Sequence, residues 1–299
     1  PVLWGAAVIL ALVLAIIVVC VARFRHRPGQ PEPRQIHGNT RLEVAWTIAP
    51  ALLLAVVAVP TIKTIGDLAE EPGGNALQVR VIGHQWWWEY RYEDLDLVTA
   101  NELHIPVGRS VRLSLEATSP EYVNSPSGVI HSFWVPRLAG KQDVVPGRTT
   151  KLTIAANEPG TYLGQCAEFC GLSHANMRLR VIAQAPSDFE AWVRSQQRPA
   201  SPPAGQSAAK GLELFVGKGT CLGCHTVKGE PRAAGIIGPN LTHFMSRGTF
   251  AGAIFENNTD QLTKWLDNPS ARKPGSIMPD LPLTPEEIAD LVAYLETLR

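Results

Sequence analysis

At 299 residues the chain has room for two or more domains. Its 27 basic and 27 acidic side chains give a formal net charge of zero, which removes the electrostatic footprint of a nucleic-acid binder. Five cysteines are too few for a disulfide scaffold, and four of them sit in two tight pairs, Cys166/Cys170 and Cys221/Cys224.

The chain begins with an uncharged apolar run from Val2 to Ala22, closed by Arg23. Roughly 20 helical residues cross a bilayer core. A second uncharged run covers Val44 to Ile62, with Pro50 and Pro60 inside it. Membrane helices tolerate such prolines where neighbours satisfy the freed carbonyls. A signal peptide competes for the first run, but the run is long for one and no small-residue cleavage site follows it. Residues 1–66 are therefore read as a two-helix transmembrane hairpin, and Pro1 is not expected to be the start of the translated chain. The loop between the runs carries Arg23, Arg25, Arg27, Arg34 and Arg41 against Glu32. The positive-inside rule puts it in the cytoplasm and everything after Ile65 outside. Glu43 opens the second helix. It reads either as an acid favoured by the helix N-terminus or as a proton-uptake carboxylate at the membrane face.

From Leu77 to about Ala183 the pattern changes to short alternating runs separated by Gly, Pro and Asn. Leu77–Ile82, Val111–Leu115, Lys151–Ile154 and Leu179–Ile182 are examples. So many short strands predict an all-β sandwich, here residues 67–194. Within it stands Trp86-Trp87-Trp88. Strand alternation would put Trp86 and Trp88 on one face and Trp87 on the other, with one or two of the three at the surface near a metal or the membrane.

The densest chemistry lies between the last two strands. Cys166, Cys170, His174 and Met177 fall within twelve residues, and His131 sits on an earlier apolar run. Thiolate, thioether and imidazole together favour copper, and two cysteines in one loop can bridge two ions. A structural zinc on His131, Cys166, Cys170 and His174, or a Cys166–Cys170 disulfide, would satisfy the same spacing. Neither uses Met177.

Residues 195–208 have no large apolar side chain and read as a flexible linker. Residues 209–299 form a second globular unit, predicted all-α. Cys221-Leu222-Gly223-Cys224-His225 is the C-x-x-C-H pattern of covalent haem attachment, with His225 as axial ligand. A methionine in the sixth position raises the potential. Met278 and Met245 are the candidates, with His243 as an outside third. Thr284-Pro285-Glu286-Glu287 predicts a capped helix whose apolar stripe is Ile288, Leu291, Val292, Leu295 and Leu298. A second helix is expected after a Thr259 cap.

Several runs resemble subunit II of the haem–copper cytochrome c oxidases. They are Glu43–Ile48, Gly83–Tyr90, Val129–Ser132, Asp143–Arg148 and the Cys166–Met177 loop. The C-terminal region is similar to a class I cytochrome c, with Gly238-Pro239-Asn240-Leu241 matching the segment whose Pro carbonyl holds the proximal His, and Met278 matching that family's Met-Pro loop before the last helix. The resemblance implies a caa3-type subunit with a cupredoxin fold and a binuclear CuA centre. Its ligands would be His131, Cys166, the carbonyl of Glu168, Cys170, His174 and Met177. The side chain of Glu168 would reach a magnesium ion shared with subunit I. Trp86 would be the electron-entry residue, and Glu43 would stand at a proton pathway.

The implied function is to pass electrons from haem c to CuA and on to subunit I for proton-pumping oxygen reduction. The implied setting is the bacterial cytoplasmic membrane, with subunit I, subunit III and an electron donor such as cytochrome c or a bc complex as partners. Three other readings are a CuA module like that of nitrous-oxide reductase, a quinol oxidase subunit and a membrane-anchored carrier without subunit I. The chain departs from the family in having no acid in Ser125–Ile130, where many members help dock soluble cytochrome c.

Overall fold

The computed structural model describes residues 2–29, 31, 35, 37–69, 73–117 and 128–299. The chain divides into two compact units, Pro1–Glu70 and Glu71–Arg299.

The first unit holds helices α1 (Val2–Phe24) and α2 (Thr40–Ala69). Their large apolar side chains are uncovered within the chain, as lipid or partner helices would require. Asn39 caps α2, its side chain accepting from the backbone N–H groups of Arg41 and Leu42. The Glu43 carboxylate reaches back to the Asn39 N–H at 3.2 Å. That is the helix-terminus arrangement expected of an acid in the first turn. Of the loop charges, Glu32 and Arg34 lie outside the described residues.

The second unit begins with a sandwich of two five-stranded sheets. One sheet has the order β3 (Leu97–Ala100), β2 (Trp87–Tyr92), β1 (Leu77–His84), β5 (Val111–Ala117), β8 (Thr150–Ile154). The other runs β4 (Glu102–Pro106), β10 (Arg178–Gln184), β9 (Gly160–Cys166), β6 (His131–Trp134), β7 (Gln142–Val144). Alternation sorts the faces. Val79, Val81, Leu113 and Leu115 point inward with essentially no exposure. Burying each contributes about 1.5–3 kcal/mol. The pairing of β6 with β9 sets Phe133 opposite Cys166, so two metal-ligand candidates share one end of one sheet. Residues 118–127 lie outside the described residues, and with them the first half of the stretch that lacks the docking acid.

Helix α3 (Pro186–Gln196) closes the sandwich, Trp192 stacking on His104 at 4.2 Å. Beyond it the chain stays in contact with its neighbours. The Ala200 N–H donates to the carbonyl of Lys228, and the Arg198 carbonyl meets Nε2 of His243 at 2.9 Å. The helical part follows. Helix α4 (Gln206–Val216) packs on α7 (Pro285–Leu295), with Phe215 edge-on to Tyr294 at 5.4 Å. Thr284 and Glu287 form the reciprocal capping box of α7. Helix α5 (Thr259–Asp267) is capped by Asn258, whose side chain accepts from Gln261, so Thr259 is its first helical residue and not its cap.

Candidate copper and haem sites

The cysteine loop leaves β9 at Cys166 and rejoins the sheet at Arg178. Two backbone contacts hold its base: the Cys166 N–H donates to the Met177 carbonyl and the Ala167 N–H to that of Ser132. Both cysteines are free. Sγ of Cys166 lies 3.7 Å from Sγ of Cys170 and 3.9 Å from Nδ1 of His131. Sγ of Cys170 lies 3.7 Å from Nδ1 of His174 and 3.8 Å from Sδ of Met177. Two ligands each roughly 2.0–2.3 Å from one ion at a tetrahedral angle stand roughly 3.5–3.8 Å apart, so these spacings fit a metal set. His131, Cys166 and Cys170 lie within 4.8 Å of one another, and His174 extends the set from the far side of Cys170. The Glu168 carbonyl is 3.2 Å from the Cys166 sulfur. Met177 is fully buried with its thioether on Cys170, which four-coordinate zinc has no use for and copper does.

The thiols share a proton unequally. The Cys170 thiol beside Cys166, helped by His131, holds Cys166 down at about 3. The same neighbour, together with burial, pushes Cys170 well up. A bound cation removes that repulsion, since a coordinating thiol is deprotonated outright. Glycine makes room beside the site. A Cβ on Gly83 would lie 2.9 Å from Cδ2 of His131.

The second site is a cavity in the helical part, lined by Cys221, Cys224, His225, Met278 and Arg247 among others. Nδ1 of His225 is 2.8 Å from the Pro239 carbonyl, which favours the tautomer with its proton on Nδ1 and leaves Nε2 as an available donor atom. Burial pushes the pKa of this imidazole down, which favours its neutral form. Sδ of Met278 accepts from Nε1 of Trp265 at 3.1 Å, and Met278 is in the cavity wall. Met245 packs in the helical core and His243 is held by Arg198; neither is among the residues lining the cavity. Arg247 is buried with Nε lacking a partner, as suits a wall awaiting a carboxylate-bearing cofactor. A Cβ on Gly238 would lie 2.5 Å from Cε1 of His225. Gly238→Ala is therefore expected to swing the imidazole and convert a low-spin haem to high spin, read from the optical spectrum, with covalent attachment retained.

The whole chain matches known proteins. The model of cytochrome c oxidase subunit II, periplasmic domain, matches residues 77–184, and its transmembrane-domain counterpart matches 1–64. The cytochrome c model matches 208–299. A cytochrome c oxidase subunit 2 from Alkalihalophilus pseudofirmus is 39% identical over 98% of this chain and 84% of that protein. The chain belongs to the cytochrome c oxidase subunit 2 family. A second such subunit, from a Bacillus species, is 34% identical over 92% of the chain and 80% of its own length. The periplasmic domain of subunit II of cytochrome oxidase from Bradyrhizobium japonicum covers 40% of the chain and 93% of that structure, at 27% identity and a TM-score of 0.37. The chain is thus a membrane-anchored subunit of a cytochrome c oxidase, associating with subunit I, and its two extramembrane domains are of copper-binding and haem c-binding families.

The tryptophan run differs from its strand-alternation reading. Trp86 lies in the turn before β2, and all three rings are buried, at 9%, 7% and 0% exposure. The reason is twofold. Trp87 stacks on His84 at 4.0 Å, and the helical domain covers Trp86. A Cβ on Gly275 would fall 2.7 Å from Cη2 of Trp86, and one on Gly252 3.0 Å from its carbonyl. Trp86 and Trp87 both line the haem cavity, while Nε1 of Trp86 donates to the Cys170 carbonyl at 3.0 Å.

Sequence reading missed the groups that join the domains. Glu102, 1% exposed on β4, accepts from the Gly248 N–H at 3.0 Å and from the Thr249 hydroxyl at 2.5 Å. Lys273, 4% exposed, donates to the carbonyls of Trp86 and Ala251. Burial pushes its amine down to about 7. Neither residue carries a sequence signal, since a lone acid or lysine reads as solvated.

Proposed function

We propose that this subunit receives electrons at a covalent haem c and delivers them through a binuclear copper centre to subunit I, where oxygen is reduced to water with proton pumping. The copper pair and the haem supply the one-electron chemistry. His131, Cys166, Cys170, His174 and Met177, with the Glu168 carbonyl, would hold the copper pair, both thiolates being available to it. Cys221 and Cys224 would tether the haem, and His225 and Met278, in the same cavity wall, would be its iron ligands. The observation that carries the reading is Trp86. It lines the haem cavity and hydrogen-bonds the backbone of Cys170. One residue therefore touches both sites.

The remaining roles follow. The Glu168 carboxylate is exposed and accepts from the Phe169 N–H, so it can reach a magnesium ion at the subunit I boundary. Glu43 serves as a proton-uptake carboxylate as well as a helix cap. Arg23, Arg25, Arg27 and Arg41 keep their loop in the cytoplasm, so both metal domains face outward. Haem attachment outside the bacterial cytoplasmic membrane agrees. Subunit III and an outer cytochrome donor complete the assembly.

Electron paramagnetic resonance on the copper-loaded chain tests this. One electron shared by two equivalent copper nuclei gives a seven-line hyperfine pattern. Four lines would mean one copper, and no copper signal would return the loop to zinc or a disulfide.

A further inference from the structure

The contact between the β-sandwich and the helical domain contains a buried amine, that of Lys273. Lys273 follows the short helix α6 (Pro269–Arg272) and its side chain crosses to the sandwich. Nζ donates to the Trp86 carbonyl at 2.6 Å and to the Ala251 carbonyl at 2.7 Å. One acceptor belongs to each domain. Among the described residues no ion pair involves Lys273. Lysine is almost never fully buried without a partner, because removing its charge from water is costly. Here the compensation is two main-chain dipoles. An amine offers two N–H groups even when neutral, so both bonds survive loss of its proton.

The surroundings leave little slack. A Cβ on Gly252 would lie 2.5 Å from Nζ and 2.6 Å from the Asn176 carbonyl. Gly252 adopts φ +84°, which glycine takes at no steric cost, and its carbonyl accepts from the Arg178 N–H across the same contact at 2.9 Å. The Gly252 turn, the copper loop and the Trp86 turn thus meet around one nitrogen. The Trp86 turn is also the residue pair that approaches Cys170: Gln85 Nε2 and Trp86 Nε1 both donate to its carbonyl.

We infer that Lys273 is a positioning residue for electron entry, a two-carbonyl clamp that holds Trp86 at fixed distance between the haem and copper sites. The inference rests on the electron path proposed above. It acts through Trp86, and its own side chain stands in the wall of the haem cavity. Long aliphatic stems pack in apolar surroundings while the head group does the bonding, so the stem and the amine can be separated by substitution. Lys273→Met keeps the stem and removes both donors. Lys273→Gln keeps an N–H donor on a shorter arm.

The test uses the full chain, with haem attached and copper loaded, in detergent. Hydrogen exchange is followed at the Arg178 and Gly248 amides, each of which donates across the domain contact. Haem-to-copper transfer is timed after rapid photoreduction of the haem. In Lys273→Met both amides are expected to exchange at least tenfold faster and transfer to slow at least tenfold. The protection of α4, α7 and the inner strands should stay as in the parent. Lys273→Gln is expected to fall between, which a mere space-filler would not do. Parent-like exchange and transfer in Lys273→Met would overturn the clamp, and should that variant fail to fold, Lys273→Gln carries the same comparison. Absence of transfer in the parent chain would instead overturn the proposed path, which separates the two failures.

Discussion

Cys170→Ser is expected to abolish the paired copper signal and to stop electron delivery to subunit I. Three groups converge on this sulfur: the Cys166 sulfur, the His174 imidazole and the Met177 thioether, all within 3.8 Å. A serine hydroxyl is a hard, neutral donor and replaces none of the soft thiolate character that selects copper. Loss of an outer-sphere partner alone typically costs 10–100-fold in metal affinity, so removing this inner ligand should exceed about 100-fold. The fold should survive, because serine is nearly isosteric and the loop base is held by backbone bonds from Cys166 and Ala167. The measurement is copper content with electron paramagnetic resonance on the purified chain, beside its circular dichroism. Full copper retention with an unchanged seven-line spectrum would remove Cys170 from the ligand set. His131→Ala is expected to act less severely, since it strips one end of the set and leaves both sulfurs.

How much of this was legible in the sequence depends on the range of the contacts involved. The copper loop and the C-x-x-C-H segment are local. Their spacing shows which donors of each segment can meet, while His131 and Met278 come from distant parts of the chain. The two apolar runs and the alternating strands are also local signals, because periodicity reports the face on which a side chain lies. What failed were statements that need the neighbour across a domain boundary. Trp86 was expected to alternate with Trp87 within a strand, yet it occupies the turn before β2 and is covered by Gly252 and Gly275 from more than 160 residues away. Lys273 stands between Arg272 and Pro274, a basic run whose ordinary place is in solvent. Its burial depends on the Trp86 carbonyl, which no local pattern announces. The shift of the α5 cap from Thr259 to Asn258 is a smaller case: both residue types favour the position, and only the backbone angles decide.

Trp86→Leu should slow haem-to-copper transfer at least several-fold, because it removes a side chain that reaches both sites. The indole does two things. Its ring lines the haem cavity and its N–H donates to the Cys170 carbonyl, so it reaches both sites through contacts the chain itself makes. Leucine keeps the apolar character but loses the ring's length and the donor. The space left cannot close from one side, because Gly171 and Gly275 have no side chains to fill it. Truncating a buried tryptophan to alanine costs about 3–5 kcal/mol, and leucine should recover part of that, so the domain remains folded at ordinary temperature. Trp86→Phe separates the two contributions. It retains a ring against the haem cavity and removes only the hydrogen bond, and should fall between parent and leucine variant. Flash photoreduction of the haem, with copper reduction followed optically, reads all three. If both variants transfer at the parent rate, the path runs elsewhere along the domain contact. If phenylalanine matches leucine, the bond to Cys170 carries the coupling, and the ring serves only to place it.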